Sequence, residues 1–263
     1  MYGAIIGDLA GSIYEYDQTF NITSVKMNKI IEENAFYSDD TILTIAILDA
    51  ILNNKDYDYY LRKYIQEYKD YKPAYKPYFP TPFSPNLTKW SNSNTVGNSH
   101  GNGAMMRISA VGYMFDSEEE VKENAKLATI PSHNANVSIE CATTIALIIY
   151  HLRKGLTLDT IYKKLNIKPQ YIPFKKFNLT CEETIGNCLY ALYNSTSFED
   201  AIKKTLLMGG DTDTNCAIVG SMAESLYGID NKLIEQANKK LPKEFVKTLN
   251  KAAKLVARWQ SDF

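Results

Sequence analysis

Two short segments bring together the residue types of oxygen-ligand chemistry. Ser38-Asp39-Asp40-Thr41 and Gly209-Gly210-Asp211-Thr212-Asp213-Thr214-Asn215 each place paired aspartates among hydroxyls. A single Ser or Asp before a helix is an ordinary N-cap, and acidic groups there complement the helix dipole. Two aspartates flanked by hydroxyls exceed that need, although capping alone stays open for each segment. Such oxygens, closely spaced in a turn, suit a hard cation such as Mg²⁺, Mn²⁺ or Ca²⁺. A calcium EF-hand does not fit: with Asp211 first, the sixth residue is Cys216 where Gly is needed, and the twelfth is Met222 where Glu is needed. If the two segments converge, their four aspartates repel one another unless cations lie among them. With Glu15 or Asp8 completing the shell, the result is a two-metal site able to polarise an oxygen and hold a water.

Two further segments could serve a ligand. Gly3, Gly7 and Gly11 leave one side of a helix nearly bare. Each costs about 1 kcal/mol against Ala in a helix interior, so something approaches that backbone closely. Read as one helix to Glu15, the segment sets Asp8, Ser12 and Glu15 on about one face. The loop Gly97-Asn98-Ser99-His100-Gly101-Asn102-Gly103-Ala104-Met105-Met106-Arg107 leads into helical sequence. Its exposed backbone N–H groups suit a phosphate, although it is neither GxGxxG nor a Walker A loop; a bare turn is the competing reading. His133, in Ile130-Pro131-Ser132-His133-Asn134, is either a ligand contact or a cap-region hydrogen-bonder. His151 at a helix end reads as a charge favourable to the dipole. Cys141, Cys181, Cys188 and Cys216 form no CxxC and have no zinc spacing with the three histidines, so they read as small reduced core residues.

The elements that must position these groups read at helical period, without alternating runs punctuated by hairpin turns, so the expected fold is all-α. Ile42, Leu43, Ile45, Ala46, Leu48, Ile51 and Leu52 form one apolar stripe; Ile139, Ala142, Thr143, Ala146, Leu147 and Tyr150 form another. Cys216 to Tyr227 is a third apolar helix that Gly228 can terminate. Val246 to Trp259 is amphipathic after the break at Pro242, with Leu249, Ala252, Ala253 and Val256 inward and its lysines in water. Tyr57, Tyr60, Tyr64, Tyr68 and Tyr71 share one side of a helix as a packing stripe. Prolines 73, 77, 80, 82 and 85, followed by Ser91-Asn92-Ser93-Asn94, predict a long non-helical connection. No linker or repeat divides the chain, so one domain spanning residues 1–263 is expected.

Composition excludes several classes. With 29 Lys+Arg against 30 Asp+Glu, no charge excess directs the chain to nucleic acid or to a membrane surface. At 45% hydrophobic and 22% charged it is not a disordered sequence. Its apolar windows fall short of the roughly 20 residues of a membrane helix, and its start lacks a signal-peptide pattern. A soluble, cytoplasmic protein is expected, with a monomer favoured.

Taken in order, Gly7-Asp8-Leu9-Ala10-Gly11-Ser12-Ile13-Tyr14-Glu15, Ser38-Asp39-Asp40-Thr41, Gly101-Asn102-Gly103-Ala104-Met105-Met106-Arg107, Ser132-His133 and Gly209-Gly210-Asp211-Thr212-Asp213-Thr214 resemble the motifs of the ADP-ribosylglycohydrolase family. The similarity spans nearly the whole chain. It implies a compact helical bundle with two Mg²⁺ or Mn²⁺ ions in a cleft, cleaving ADP-ribose from a modified protein side chain or a small acceptor. Arginine conjugates rank first; serine, O-acetyl and nucleobase conjugates, or a catalytically silent ADP-ribose reader, are the alternatives. Carried over by position, Ser38, Asp39, Asp40, Asp211, Asp213 and Thr214 would be metal ligands. Glu15 would act at the metals as ligand or general base, with Asp40 beside it in catalysis, and Asp8 would be structural. Gly101, Asn102, Gly103 and Ala104 would receive the diphosphate or distal ribose, with His133 near the ADP-ribose. Ser38 stands where the family usually has Thr, which keeps the hydroxyl and loses the methyl that fixes its rotamer.

Overall fold

A computed structural model describes residues 1–15, 29–53, 55–73, 81–174 and 177–261, with side chains to residue 256. The described residues form fourteen helices. The first four are α1 (Tyr2–Gly11), α2 (Asp39–Asn53), α3 (Tyr57–Tyr68) and α4 (Pro85–Ser91). Then come α5 (Gly103–Met106), α6 (Ser109–Met114), α7 (Glu118–Thr129), α8 (Asn136–Arg153) and α9 (Leu158–Lys164). The last five are α10 (Cys181–Tyr193), α11 (Phe198–Met208), α12 (Thr212–Tyr227), α13 (Asn231–Asn238) and α14 (Lys243–Ser261). The fold is all-α, as expected, and no described helix is long and apolar enough to cross a membrane.

The glycines of α1 explain its place. A Cβ built on Gly3 would lie 2.1 Å from the Gly220 carbonyl oxygen, one on Gly7 2.0 Å from that of Cys216, and one on Gly11 2.3 Å from that of Thr212. All three partners belong to α12, so the two helices touch backbone to backbone along their length. Gly220 returns the contact, its own Cβ position falling 2.2 Å from the Gly3 carbonyl oxygen. At the far end the Gly3 N–H donates to Glu224 Oε2 at 2.8 Å.

Around this pair the apolar stripes find their partners. Ile42, Leu43, Ile45 and Leu48 of α2 are fully buried, as are Ala142, Ile145, Ala146, Ile148 and Ile149 of α8. Helix α8 is therefore covered on more sides than its predicted stripe, packed by α6, α7, α10 and α12. The tyrosines of α3 do pack: Tyr57 donates to Asn124 at 2.8 Å, Tyr64 stacks on Tyr68 at 6.1 Å, and both meet Phe245 of α14.

Four local expectations are corrected. Helix α1 stops at Gly11, so Ser12 and Glu15 lie in a turn and do not share a helical face with Asp8. The proline-rich connection contains α4, because Ser84 caps its start and Pro85 occupies the first turn, where a missing N–H costs nothing; prolines 77 and 80 lie outside the described residues. Ala253 is exposed, the inward side of α14 being Phe245, Leu249 and Ala252. His151 is buried, which pushes its imidazole below the usual range and favours the neutral ring over the expected cation.

The glycine contact makes a quantitative prediction. Gly7→Ala should destabilise the fold by about 2–4 kcal/mol in chemical denaturation, since backbone must move and outweighs the helical preference for Ala. Gly186→Ala, in α10 with only a 3.7 Å neighbour, should gain up to about 1 kcal/mol. Equal effects at the two positions would refute the close-packing explanation.

Candidate active site

The α1–α12 contact brings two helix N-termini together. Ser38 caps α2: its hydroxyl accepts the Asp40 N–H and donates to Asp40 Oδ2, both at 3.1 Å. Asp8 reaches across from α1, where its Oδ2 accepts the N–H of Ser38 at 2.9 Å, the N–H of Thr41 at 3.1 Å and the Thr41 hydroxyl. The start of α2 is thus held by a carboxylate on another helix. At α12, Asp211 is the N-cap residue and Asp213 lies in the first turn, its Oδ1 accepting the Thr214 N–H at 2.9 Å. Two hydroxyls tie the ends to each other. Thr214 donates to Asp40 Oδ2 at 3.2 Å, and Thr212 donates to the Gly11 carbonyl at 2.9 Å.

Two carboxylate triads result. Asp8, Asp40 and Asp213 form one; Glu15, Asp211 and Asp213 form the other; within each, one oxygen per residue lies within 4.8 Å of the others. Asp213 belongs to both, so the triads adjoin. Among the described residues, Asp8 Oδ1 and Asp40 Oδ1 are buried without a hydrogen-bond partner. Ser38 and Thr214 lie beside this cluster and are bonded to Asp40, while Asp39 belongs to neither triad and keeps part of its surface open to the cleft. Buried carboxylate oxygens without hydrogen-bond donors to satisfy them fit a hard divalent cation.

The triads lie on a cleft of about 740 Å³. Glu15, Asp39, Asp40, Asp211 and Asp213 line it, and so do Gly101, Asn102, Gly103 and His133. Ala104 is fully buried behind the loop. A further wall is aromatic and proline-rich, formed by Phe36, Tyr37, Tyr71, Phe83, Trp90 and Phe177 with neighbouring prolines. Tyr37 and Tyr71 stack at 4.4 Å between ring centroids.

The sequence matches the ADP-ribosylglycohydrolase family over residues 1–262. The chain belongs to the ADP-ribosylglycohydrolase family. Human ADP-ribosylhydrolase ARH3 is 23% identical over an alignment covering 87% of this chain and 84% of that protein. ADP-ribosylarginine hydrolase Tri1 of Pseudomonas putida is 23% identical over 49% of this chain and 39% of its own length. A solved structure titled "ADP-ribosylglycohydrolase-related protein complex" superposes with a TM-score of 0.67, covering 97% of this chain and 92% of that one at 16% identity, which shows a shared fold.

Three residues that shape this ADP-ribosylglycohydrolase cleft carry no signal in the sequence or do more there than their motif implies. Asn178, in an irregular segment, is buried; its Oδ1 accepts the Asp211 N–H at 2.8 Å and its Nδ2 donates to Thr184 at 2.8 Å and Asn215 at 2.9 Å. The same Oδ1 occupies the space of a Cβ on Gly210, whose φ of +75° also requires glycine. Asn102, predicted only as a ligand contact, donates to Asp211 Oδ2 at 2.7 Å and so joins the loop to the carboxylates. Arg107, quoted within a motif but assigned no role, is the largest fully buried side chain.

Burial dominates the electrostatics. It pushes Asp8 up to about 6, against an ordinary 3.8 and despite three donated hydrogen bonds. Burial, with Asp8 nearby, raises Asp39 to about 7, and burial, opposed by the Asn102 amide, raises Asp211 to about 7. Asp40 and Asp213 rise furthest, each through burial and then through a neighbouring aspartate. The folded chain therefore holds more protons than the unfolded chain between the ordinary carboxylate range and neutrality. Its stability falls as pH rises through that window. In chelator, the melting temperature should drop from about pH 5 to about pH 8, and Mg²⁺ should reverse the drop most at the upper end. A flat or rising profile in scanning fluorimetry would contradict this account.

Proposed function

We propose that this chain is a metal-dependent hydrolase that releases ADP-ribose from an acceptor, with the N-glycosidic bond to a protein arginine first among its substrates. The observation that carries the reading is the pair of carboxylate triads sharing Asp213 on a cleft large enough for a nucleotide-sized ligand. The name of the Tri1 relative supports arginine as the acceptor. We read residues 1–263 as one domain. The four free, buried cysteines support a reducing compartment such as the cytoplasm.

Ser38, Asp39, Asp40, Asp211, Asp213 and Thr214, with Glu15, would hold two Mg²⁺ or Mn²⁺ ions, which when bound polarise ribose hydroxyls and a water. The protein's own groups do the rest. The backbone from Gly101 to Gly103 receives the diphosphate, Ala104 being buried behind it, and His133 lies beside it. The bond from C1″ to the leaving nitrogen breaks, its electron pair goes to that nitrogen so that the guanidinium departs as a neutral guanidine, and the water oxygen bonds to C1″; the proton that Glu15 takes from the water is then returned to the guanidine. Glu15 accepts the proton from that water oxygen, a role worth about 10² to 10⁴ in rate. Asp40 and the neighbouring carboxylates stabilise the positive charge that grows at C1″.

The test is ADP-ribose release from an arginine-ADP-ribosylated protein, in Mg²⁺ and in EDTA. Wild type should release only with the cation, and Asp211→Asn should not release. Glu15→Gln should lose about 10² or more in kcat while retaining ADP-ribose binding. Binding without release would remove arginine and turn the search to serine, O-acetyl and nucleobase conjugates. Neither binding nor release would overturn the hydrolase reading.

A further inference from the structure

On the wall of the cleft, with Arg107 near enough to Asp39 to feel its charge, three side chains form a buried chain of hydrogen bonds. Arg107 Nη2 donates to Ser132 Oγ at 2.7 Å, and Ser132 Oγ lies 2.7 Å from His133 Nδ1. Arg107 Nη2 is also 3.4 Å from His133 Nδ1. Arg107, Ser132 and His133 are 1%, 3% and 5% exposed. The backbone holds the group in register: the N–H of Gly97 donates to the Pro131 carbonyl, that of Ser99 to the Ser132 carbonyl, and that of Asn134 to the Gly97 carbonyl, at 2.8, 3.2 and 2.9 Å.

The donor inventory decides the direction of the chain. A guanidinium only donates, so Ser132 Oγ is an acceptor toward Arg107. Among the described residues, Ser132 Oγ has no acceptor for its own proton other than His133 Nδ1. Nδ1 thus faces the hydroxyl proton on one side and a guanidinium donor on the other. A proton on Nδ1 would point at both. The imidazole is therefore neutral with its proton on Nε2, and burial beside the Arg107 charge, which pushes His133 well below the usual range, agrees with that form.

Nε2 is directed at the glycine loop. A Cβ on Gly101 would lie 3.4 Å from it and one on Gly103 3.5 Å from it, so the two glycines keep Nε2 uncovered. We propose that Arg107 and Ser132 are positioning residues that fix His133 in its Nε2–H tautomer, so that a neutral N–H donor is presented between Gly101 and Gly103 to a diphosphate or ribose oxygen of the ligand. The inference rests on the reading of the cleft as an ADP-ribose site. It gives a role to a buried arginine whose Nε and Nη1 have no hydrogen-bond partner among the described residues: the side chain is kept for what Nη2 imposes on its neighbours.

The experiment is long-range ¹H–¹⁵N NMR of the full chain with ring-labelled histidine, His133 being assigned by its loss in His133→Gln. At neutral pH the wild type should carry its proton on Nε2. Ser132→Ala should give a mixture containing the Nδ1–H form and weaken ADP-ribose binding in Mg²⁺ by about tenfold, and Ser132→Thr, which keeps the hydroxyl, should restore both. Gly103→Ala, which covers Nε2 without touching the relay, should weaken binding and leave the tautomer unchanged. An Nδ1–H or doubly protonated ring in the wild type, or Ser132→Ala with unaltered tautomer and affinity, would overturn the proposal. If ADP-ribose binds no variant, the functional reading falls, while the tautomer still decides the relay.

Discussion

Everything at the cleft depends on how closely α1 can approach α12. Side chains normally hold packed helices 8–10 Å apart. Here glycine at three successive turns of α1, and Gly220 opposite, let carbonyl groups sit where Cβ atoms would be. The end of α1 is thereby clamped to the start of α12, with Thr212 bonded to the Gly11 carbonyl. Asp8, one turn before that end, is carried to within reach of Asp213, and its other oxygen seats the N-terminus of α2. A wider helix pair would separate the two aspartate segments, and neither triad would close.

The same contact creates an electrostatic problem. Moving Asp8 from its ordinary 3.8 to about 6 corresponds to about 3 kcal/mol at neutral pH, and it is one of several buried acids. Helix N-termini offset part of this, since Asp39, Asp40 and Asp213 lie in first turns where the dipole favours anions. Hydroxyl and amide donors from Thr41, Thr214 and Asn102 offset more. Among the described residues, two carboxylate oxygens still lack a hydrogen-bond partner. An apolar replacement would pack the same space at lower cost, so the cluster makes physical sense as a binding site for positive charge and not as a source of stability.

How much of this was legible depends on the range of each interaction. The helices of α2, α8 and α12 were readable because burial imposes a period of 3.6 on nearby residues, and the paired aspartates because they are adjacent in the chain. The glycines at 3, 7 and 11 announced a close neighbour without naming it. The convergence of Asp8 with Asp40 and Asp213 spans the length of the protein, and no local pattern encodes it. Asn178 is invisible for the same reason: its buried side-chain hydrogen bonds reach Thr184, Asp211 and Asn215 from an irregular segment. Helix α4 was missed because proline was read as a breaker, whereas behind a capping Ser84 it begins a helix. Arg107 closes a motif without a role of its own in the sequence, and its burial and its bond to Ser132 come only from the fold.

The cleft is assembled from parts that differ in how freely they can vary. The carboxylate floor is fixed by the α1–α12 contact and by bonds that cross between helix ends, so a change in any one member disturbs the others. The loop from Gly97 to Gly103 is fixed as well, through its backbone pairing with residues 131–134 and through Asn102. The aromatic wall is different. Phe83 and Trp90 come from α4 and its approach, a short helix that packs chiefly on α3. Arg62 of α3 spans that junction, donating to the Trp90 carbonyl at 2.6 Å while its guanidinium stacks 4.1 Å from the Trp90 ring. That part of the wall is held apart from the aspartates, whereas Phe36 and Tyr37 directly precede Ser38 and are tied to them. The carboxylate floor and the Phe83–Trp90 part of the wall are thus supported by different helices, so a change in α3 or α4 acts on the shape of the cleft apart from the acidic cluster.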